Sequence, residues 1–251
     1  MDSSDYIFGL HPVLEAIEAG RTIDKLYIKK DLHGDLAIRL CRQARELGIP
    51  VQRVPVERLN KITRKNHQGV IAQMGAIAYA KLGNIVPTLF EDGVIPFILV
   101  LDGITDVRNF GAIARTAECC GVNAIVIPTR GSVSVGADAV KTSAGALLHI
   151  PVCREDSLLG AVKYLQSSGC SVVCSTEKAS ENYTLADFTA PVALVMGAED
   201  TGISEDILAM ADVRAAIPMF GNIGSLNVSV AAGVMMYEVV RQRLNSNLEI
   251  I

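Results

Sequence analysis

From Phe97 onward the chain alternates between two hydrophobic periods, and this alternation constrains its fold more than any other feature. Short apolar runs at 97–101, 124–128, 171–175, 192–196 and 213–217 have the length of strands. Between them, residues 110–120, 138–148, 157–168 and 204–211 repeat their apolar positions at helical spacing, and a longer helical pattern runs from about 226 to 243. A strand that is apolar along its whole length needs cover on both faces, and strands joined through helices run parallel. The pattern therefore predicts an α/β domain built on a mostly parallel sheet. Ligands of such sheets bind beyond the carboxyl ends of the strands, in the loops that enter the helices.

The N-terminal part reads as a separate, smaller α/β unit. A short helix is predicted at 10–19, a strand at 25–30, and an amphipathic helix at 36–47 stopped by Gly48. A strand at 51–54, a short helix at 56–62 and a strand at 69–76 complete it. The stretch 79–96 holds two prolines and two glycines with little periodicity. The expected division is thus a domain over 1–76, a linker over 77–95 and a larger domain over 96–251, with no internal repeat.

Of the 251 residues, 50% are hydrophobic and 20% charged, which excludes a disordered chain. No apolar run reaches the roughly 18 residues of a membrane-spanning helix. The opening Met-Asp-Ser-Ser-Asp lacks the basic stretch of a secretory leader. Six cysteines (41, 119, 120, 153, 170 and 174) show neither paired nor metal-ligand spacing, so buried thiols in a reducing cytoplasm are expected, and no metal site. The net charge of −4 is unevenly spread: residues 1–80 carry 12 Lys+Arg against 9 Asp+Glu, and residues 81–251 carry 11 against 18. That asymmetry permits a nucleic-acid-binding module in the small unit without establishing one.

Three loops hold the dense polar chemistry. After strand 97–101 comes Asp102-Gly103-Ile104-Thr105-Asp106-Val107-Arg108-Asn109-Phe110-Gly111, followed by Arg115. Asn109 is a candidate N-cap and Gly111 a point of close approach; a capped helix with an exposed arginine fits the spacing equally well. After strand 192–196, Gly197-Ala198-Glu199-Asp200-Thr201-Gly202 places two carboxylates between glycines. A capped turn is the plain alternative. The segment is neither G-x-G-x-x-G nor a P-loop, and its acids would repel phosphate, so a ligand with a cationic centre fits better. After strand 213–217, Pro218-Met219-Phe220-Gly221-Asn222-Ile223-Gly224-Ser225-Leu226-Asn227-Val228-Ser229 leads into the last helix. Capping explains Ser225 or Asn227, but not both together with Ser229.

These segments resemble the three motifs of the SpoU (TrmH-type) RNA ribose 2′-O-methyltransferases of the SPOUT superfamily. The matches are N-x-G-x-x-x-R at Asn109–Arg115, G-x-E-x-x-G at Gly197–Gly202, and I-P-M followed by S-L-N-V-S over Ile217–Ser229. Phe8-Gly9-Leu10-His11-Pro12-Val13 and Asn66-His67-Gln68-Gly69-Val70 are similar to that family's L30e-like substrate-binding domain. Together they span nearly the whole chain, and the likeness is strongest to the 23S rRNA guanosine-2′-O-methyltransferase branch. The resemblance implies a catalytic domain whose C-terminal part forms a trefoil knot, which periodicity does not suggest. It implies S-adenosylmethionine as methyl donor, held near Gly197, Gly202, Ile217, Met219, Leu226 and Asn227. It also implies a homodimer built across the knot. The apolar positions Val230, Val234, Met235 and Val239 would serve either that interface or the monomer core.

The implied reaction is in-line transfer of a methyl group to a ribose 2′-hydroxyl, with no covalent enzyme intermediate. By family analogy Arg115 activates the hydroxyl. A guanidinium keeps its proton, so Arg115 is expected to act as a cation on the forming alkoxide or an adjacent phosphate. Asn109, Glu199, Ser225 and Asn227 would position Arg115 and the ribose. Lys29, Lys30, Arg64, Lys65 and His67, with Arg21 and Lys25, are the candidate RNA contacts. His11 and His67 sit in the N-terminal unit and read as turn or RNA-contact residues rather than catalytic bases. The competing expectations are a tRNA 2′-O-methyltransferase, a non-catalytic RNA-binding ribosome-assembly protein, and a Rossmann-like enzyme, which would need a Gly-rich fingerprint absent from the first strand.

Overall fold

The computed structural model describes residues 6–248; the first five residues, read above for a leader, and the last three lie outside it. By contact density the chain forms two compact units. One runs to Ala78 and includes Ser134–Asp138, and the other takes Tyr79–Val133 and the chain from Ala139 onward.

The first unit comprises β1 (Tyr6–Phe8), α1 (Leu10–Glu18), β2 (Ile23–Lys29), α2 (Asp35–Glu46), β3 (Val51–Val54), α3 (Val56–Ile62) and β4 (Val70–Met74). Its four-stranded sheet has the order β1-β4-β2-β3. β4 runs antiparallel to both β1 and β2, and β3 parallel to β2. The periodicity of α2 buries Ala37, Leu40 and Ala44 on one face, where Leu40 and Ala44 join Val13 and Ile17 of α1 and Leu26 and Ile28 of β2. Removing these aliphatic side chains from water is the main favourable term for a unit of this size. β1 was not foreseen, since three residues are too few to show a period.

The second unit is built from α4 (Leu82–Glu91), β5 (Phe97–Asp102), α5 (Val107–Cys119), β6 (Ala124–Pro128), α6 (Ala137–Thr142), β7 (Val152–Glu155), α7 (Leu158–Ser167), β8 (Ser171–Ser175), β9 (Glu181–Asn182), β10 (Val192–Gly197), α8 (Glu205–Met210), β11 (Val213–Ala216) and α9 (Val228–Leu248). Its seven-stranded sheet has the order β7-β6-β5-β10-β8-β11-β9, with every pair parallel. β5 and β10 are buried over their first five residues, as strands covered on both faces must be.

Three expectations change. The stretch 77–95, expected as a linker, holds the ten-residue helix α4. Leu82 and Val86, one turn apart, bury against Ile98 and Val100 of β5, and that burial outweighs the helix-breaking cue of Pro87. The helix expected over 138–148 is α6 followed by a 3-10 turn at Ala146–Leu148, because Ala144 (φ 51°) and Gly145 (φ 88°) turn left-handed between them. The short strands β7 and β9 were also unforeseen. Among the described residues no helix is long and apolar enough to cross a membrane.

Candidate active site

The three polar loops all follow parallel strands, and two of those strands, β5 and β10, are neighbours that pair Asp102 with Gly197. Asp102 turns its carboxylate across to the second loop, where Oδ2 accepts the Ser204 backbone N–H at 2.8 Å. The second loop folds back on itself: Gly202, at φ 68°, donates its N–H to the Ala198 carbonyl at 2.9 Å. A Cβ at Gly197 would lie 2.2 Å from the Gly202 carbonyl carbon and 2.3 Å from the Ile203 nitrogen, so only glycine allows this closure.

The N-cap of α5 is Asp106, not Asn109 as expected. Asp106 Oδ1 accepts the backbone N–H groups of Arg108 and Asn109 at 2.8 and 2.9 Å. A carboxylate three residues before Asn109 satisfies the orphan donors of the helix. The Asn109 side chain, in the first turn, is thereby free to reach sideways.

It reaches Glu199. Oε1 of Glu199 accepts three donors: Asn109 Nδ2 at 3.3 Å, Asn227 Nδ2 at 2.5 Å and the Val228 backbone N–H at 3.2 Å. A carboxylate accepts only, so the Asn227 amide must turn its NH2 toward it. Its second hydrogen then meets Asn109 Oδ1 at 3.1 Å, and its own oxygen faces Ser229, accepting from N at 3.0 Å and Oγ at 2.5 Å. Glu199 thus caps the start of α9 while tying all three loops together.

Beside this network lies a cleft lined by Gly197, Gly202, Ile217, Met219 and Leu226, five of the six expected cofactor contacts, and by Ser225. The sixth, Asn227, belongs to the network rather than the lining. Ser175, Thr176 and Glu177, at the end of β8, line the same cleft and were missed in sequence; their place at the carboxyl end of a central strand was the available signal. The donor set suits a nucleoside carrying a cationic group. Ile217, Met219 and Leu226 offer apolar faces, Ser175, Thr176 and Glu177 offer hydroxyls and a carboxylate, and neither lysine nor arginine lines it. Arg115 is not drawn into this group. It is exposed on α5 and makes no hydrogen bond or ion pair among the described residues.

In the first unit, Lys30, Arg64 and Lys65 are exposed and Lys29 half-buried, with the Lys65 ammonium 5.4 Å from the centre of the Phe8 ring. His67, expected among the RNA contacts, is buried and bonded on both ring nitrogens. It is 8% exposed, Nε2 pairs with Asn60 Oδ1 at 2.9 Å and Nδ1 accepts the Gly69 N–H at 3.0 Å, so neither ring nitrogen is left for a ligand. The apolar positions of α9 divide: Met235 and Val239 are fully buried, Val234 is half-buried and Val230 exposed.

The matching family models are the SpoU rRNA Methylase family over residues 96–237 and the RNA 2′-O ribose methyltransferase substrate-binding family over residues 6–80. YacO of Bacillus subtilis (strain 168), assigned to the TrmH family of tRNA/rRNA methyltransferases, is 36% identical over 95% of this chain and 96% of its own. The crystal structure of an AdoMet-bound rRNA methyltransferase from Sinorhizobium meliloti superposes with a TM-score of 0.59 at 26% identity, covering 94% of this chain and 86% of that one. The TrmH/SpoU tRNA modifying enzyme of A. aeolicus superposes with a TM-score of 0.55 at 27% identity, covering 66% of this chain and 86% of its own.

Proposed function

Because the chain belongs to the SpoU family of RNA 2′-O-ribose methyltransferases, we propose that it methylates the 2′-hydroxyl of a guanosine in 23S rRNA. The enzyme is S-adenosylmethionine-dependent and acts on tRNA or rRNA. Support for rRNA comes from coverage. The S. meliloti rRNA enzyme matches 94% of this chain, whereas the A. aeolicus tRNA enzyme matches 66%.

The observation that carries the catalytic reading is the Asn109–Glu199–Asn227 network beside a cleft with no cationic lining. S-adenosylmethionine, when bound, supplies a methyl group already activated by a sulfonium. Ile217, Met219 and Leu226 would hold its adenine, and the backbone around Gly197 and Gly202 would shape the rest of the cleft. The network fixes the three loops so that a ribose hydroxyl is presented in one orientation, with Ser225 at the cleft wall. Arg115 stays charged and stabilises negative charge growing on the 2′-oxygen or the neighbouring phosphate. Lys29, Lys30, Arg64 and Lys65 take phosphates of the substrate.

The passage from β10 through α8 and β11 into α9 is read as the trefoil knot of the family, and α9 as the dimer contact. Val230, Tyr237 and Leu244, seven residues apart on that helix, are 52%, 55% and 59% exposed. Such an outward stripe suits a second copy.

The test is transfer of labelled methyl from S-adenosylmethionine into unmodified 23S rRNA, 16S rRNA and bulk tRNA in parallel. Label confined to 23S rRNA, at a ribose that resists alkaline cleavage, is expected. Label in tRNA alone would keep the chemistry and overturn the substrate.

A further inference from the structure

A groove in the first unit, lined by no residue given a functional role so far, has the composition of a nucleotide site. Its floor is Ile28, Ile38 and Cys41, and its rim is Arg42 and Arg45 of α2 and Arg53 of β3. It holds about 430 Å³ and opens to solvent. Ile38, 68% exposed, presents an apolar face at this groove beside the three arginines.

The charge is one-sided. Three of the twelve basic residues among residues 1–80 meet at this groove, and no carboxylate lines it. The nearest compensation is Glu46, 4.0 Å from Arg42, in a pair whose members are 71% and 66% exposed. Arg53 is held in place by one donated hydrogen bond, Nη1 to the Lys30 carbonyl at 3.2 Å, which leaves its remaining N–H groups for a ligand. Arg45 has no ion pair among the described residues.

We infer that this groove takes an unpaired nucleotide of the RNA substrate, its base lying on the Ile28–Ile38–Cys41 floor and its flanking phosphates on Arg42, Arg45 and Arg53. This rests on the RNA methyltransferase reading and adds to it a contact surface that adjoins Lys30 through Arg53 and extends beyond Lys29, Lys30, Arg64 and Lys65. The pairing of surfaces favours single-stranded RNA: phosphates supply the anions the arginines lack, and the base supplies the apolar face. Helical RNA keeps its bases stacked and could use the arginines but not the floor.

The experiment measures binding of unmodified 23S rRNA to the full-length protein across a salt series. It compares wild type, the triple variant Arg42→Ala/Arg45→Ala/Arg53→Ala, and Ile38→Glu, with the thermal unfolding profile of each as the check on folding. The triple variant should bind at least about tenfold more weakly and lose about two from the slope of log affinity against log salt, at about 0.7 per phosphate contact on a single strand. Ile38→Glu should also weaken binding, since it replaces the apolar face on which the base lies with a hydrated side chain. Unchanged affinity and slope in both variants, with wild-type binding intact, would overturn the groove and leave the enzymatic reading untouched. Loss in the triple variant without loss in Ile38→Glu would overturn the nucleotide and leave only phosphate attraction. Failure of the wild type to bind any RNA would overturn both.

Discussion

Asn227 and Glu199, 28 residues apart, share a 2.5 Å hydrogen bond from the asparagine amide to the carboxylate Oε1. The same oxygen accepts the backbone N–H that opens α9, so one carboxylate both caps a helix and fixes a neighbouring side chain. Glu199 is thus the one acceptor in this network that bonds to both of the other loops, beside the Asp102–Ser204 and Asn109–Asn227 bonds.

Glu199→Ala removes that acceptor from Asn109, Asn227 and Val228 at once. The lost cap is expected to reduce stability by about 1 kcal/mol, or about 2–4 °C in Tm for a protein of this size. Methyl transfer should fall by a larger factor, because Asn109 and Asn227 lose their common anchor. Glu199→Gln keeps an acceptor oxygen and should recover most of the Tm. Wild-type Tm and turnover in Glu199→Ala would mean the network holds nothing.

Arg115 stands apart from the network, so its removal should leave the fold and the cofactor cleft alone. Arg115→Ala is expected to lower kcat by about 10²–10³ with Tm and S-adenosylmethionine affinity unchanged. Calorimetric titration beside a single-turnover assay separates the two. Equal turnover in the variant would remove Arg115 from the reaction.

Gly197→Ala makes the opposite split. The added methyl would sit 2.2–2.5 Å from backbone atoms of Gly202 and Ile203, and backbone does not yield as a side chain tip does. The 197–202 loop must open, and with it the cofactor cleft. S-adenosylmethionine affinity should drop at least about tenfold, a loss of about 1.4 kcal/mol or more. Gly83→Ala is the contrast: its methyl meets nothing within 4 Å in α4, and replacing a helical glycine should raise Tm.

The sequence made the second unit legible because its signal is redundant there. β5 and β10 are uniformly apolar, each is followed by a helix, and the chemistry sits in the loops that the sheet rule marks. What it hid were choices between similar residues. Asp106 and Asn109 are both fair caps, and only the folded chain shows that the carboxylate takes the role and frees the amide. His67 looked like a polar loop residue because nothing in the sequence shows that Asn60 and Gly69 would occupy both its nitrogens. α4 was missed because Pro87 argues against a helix locally, while the burial of Leu82 and Val86 that decides the matter is tertiary. Ser175–Glu177 carry no motif at all; they join the cleft only because β8 lies next to β10.

Burial divides the six cysteines. Desolvation pushes the thiols of Cys153 and Cys174 up to about 12 and those of Cys120 and Cys170 up to about 11, while Cys119 is exposed and Cys41 half-buried. The thiolate is the reactive form, so at pH 8 the four buried groups hold at most about one part in a thousand of it. Brief maleimide treatment of the native protein should label Cys119 and Cys41 alone, and all six only after unfolding. Labelling of Cys153 or Cys174 at native rates would show that the sheet core opens.

Arg243 is the residue whose loss should damage stability without touching chemistry. Its guanidinium donates to four carbonyls: Nε to Phe188 at 3.1 Å, Nη1 to Ile95 at 3.0 Å, and Nη2 to Pro96 at 3.0 Å and Ala190 at 3.1 Å. These belong to the segments entering β5 and β10, so one side chain on α9 fastens the lead-ins of two central strands. Burial lowers its pKa, and the carbonyl ring and the Phe97 face, 5.4 Å away, are what offset the desolvation. Arg243→Ala leaves four acceptors short of a donor and is expected to cost about 2–4 kcal/mol, or roughly 5–10 °C in Tm. Arg243→Lys should recover little of this, because an ammonium has three donors and no planar fork to span both segments. Methyl transfer per folded molecule, measured well below the transition, should stay at the wild-type level in both variants. Full recovery of Tm by lysine would show that charge alone, and not the geometry of the guanidinium, holds the two lead-ins.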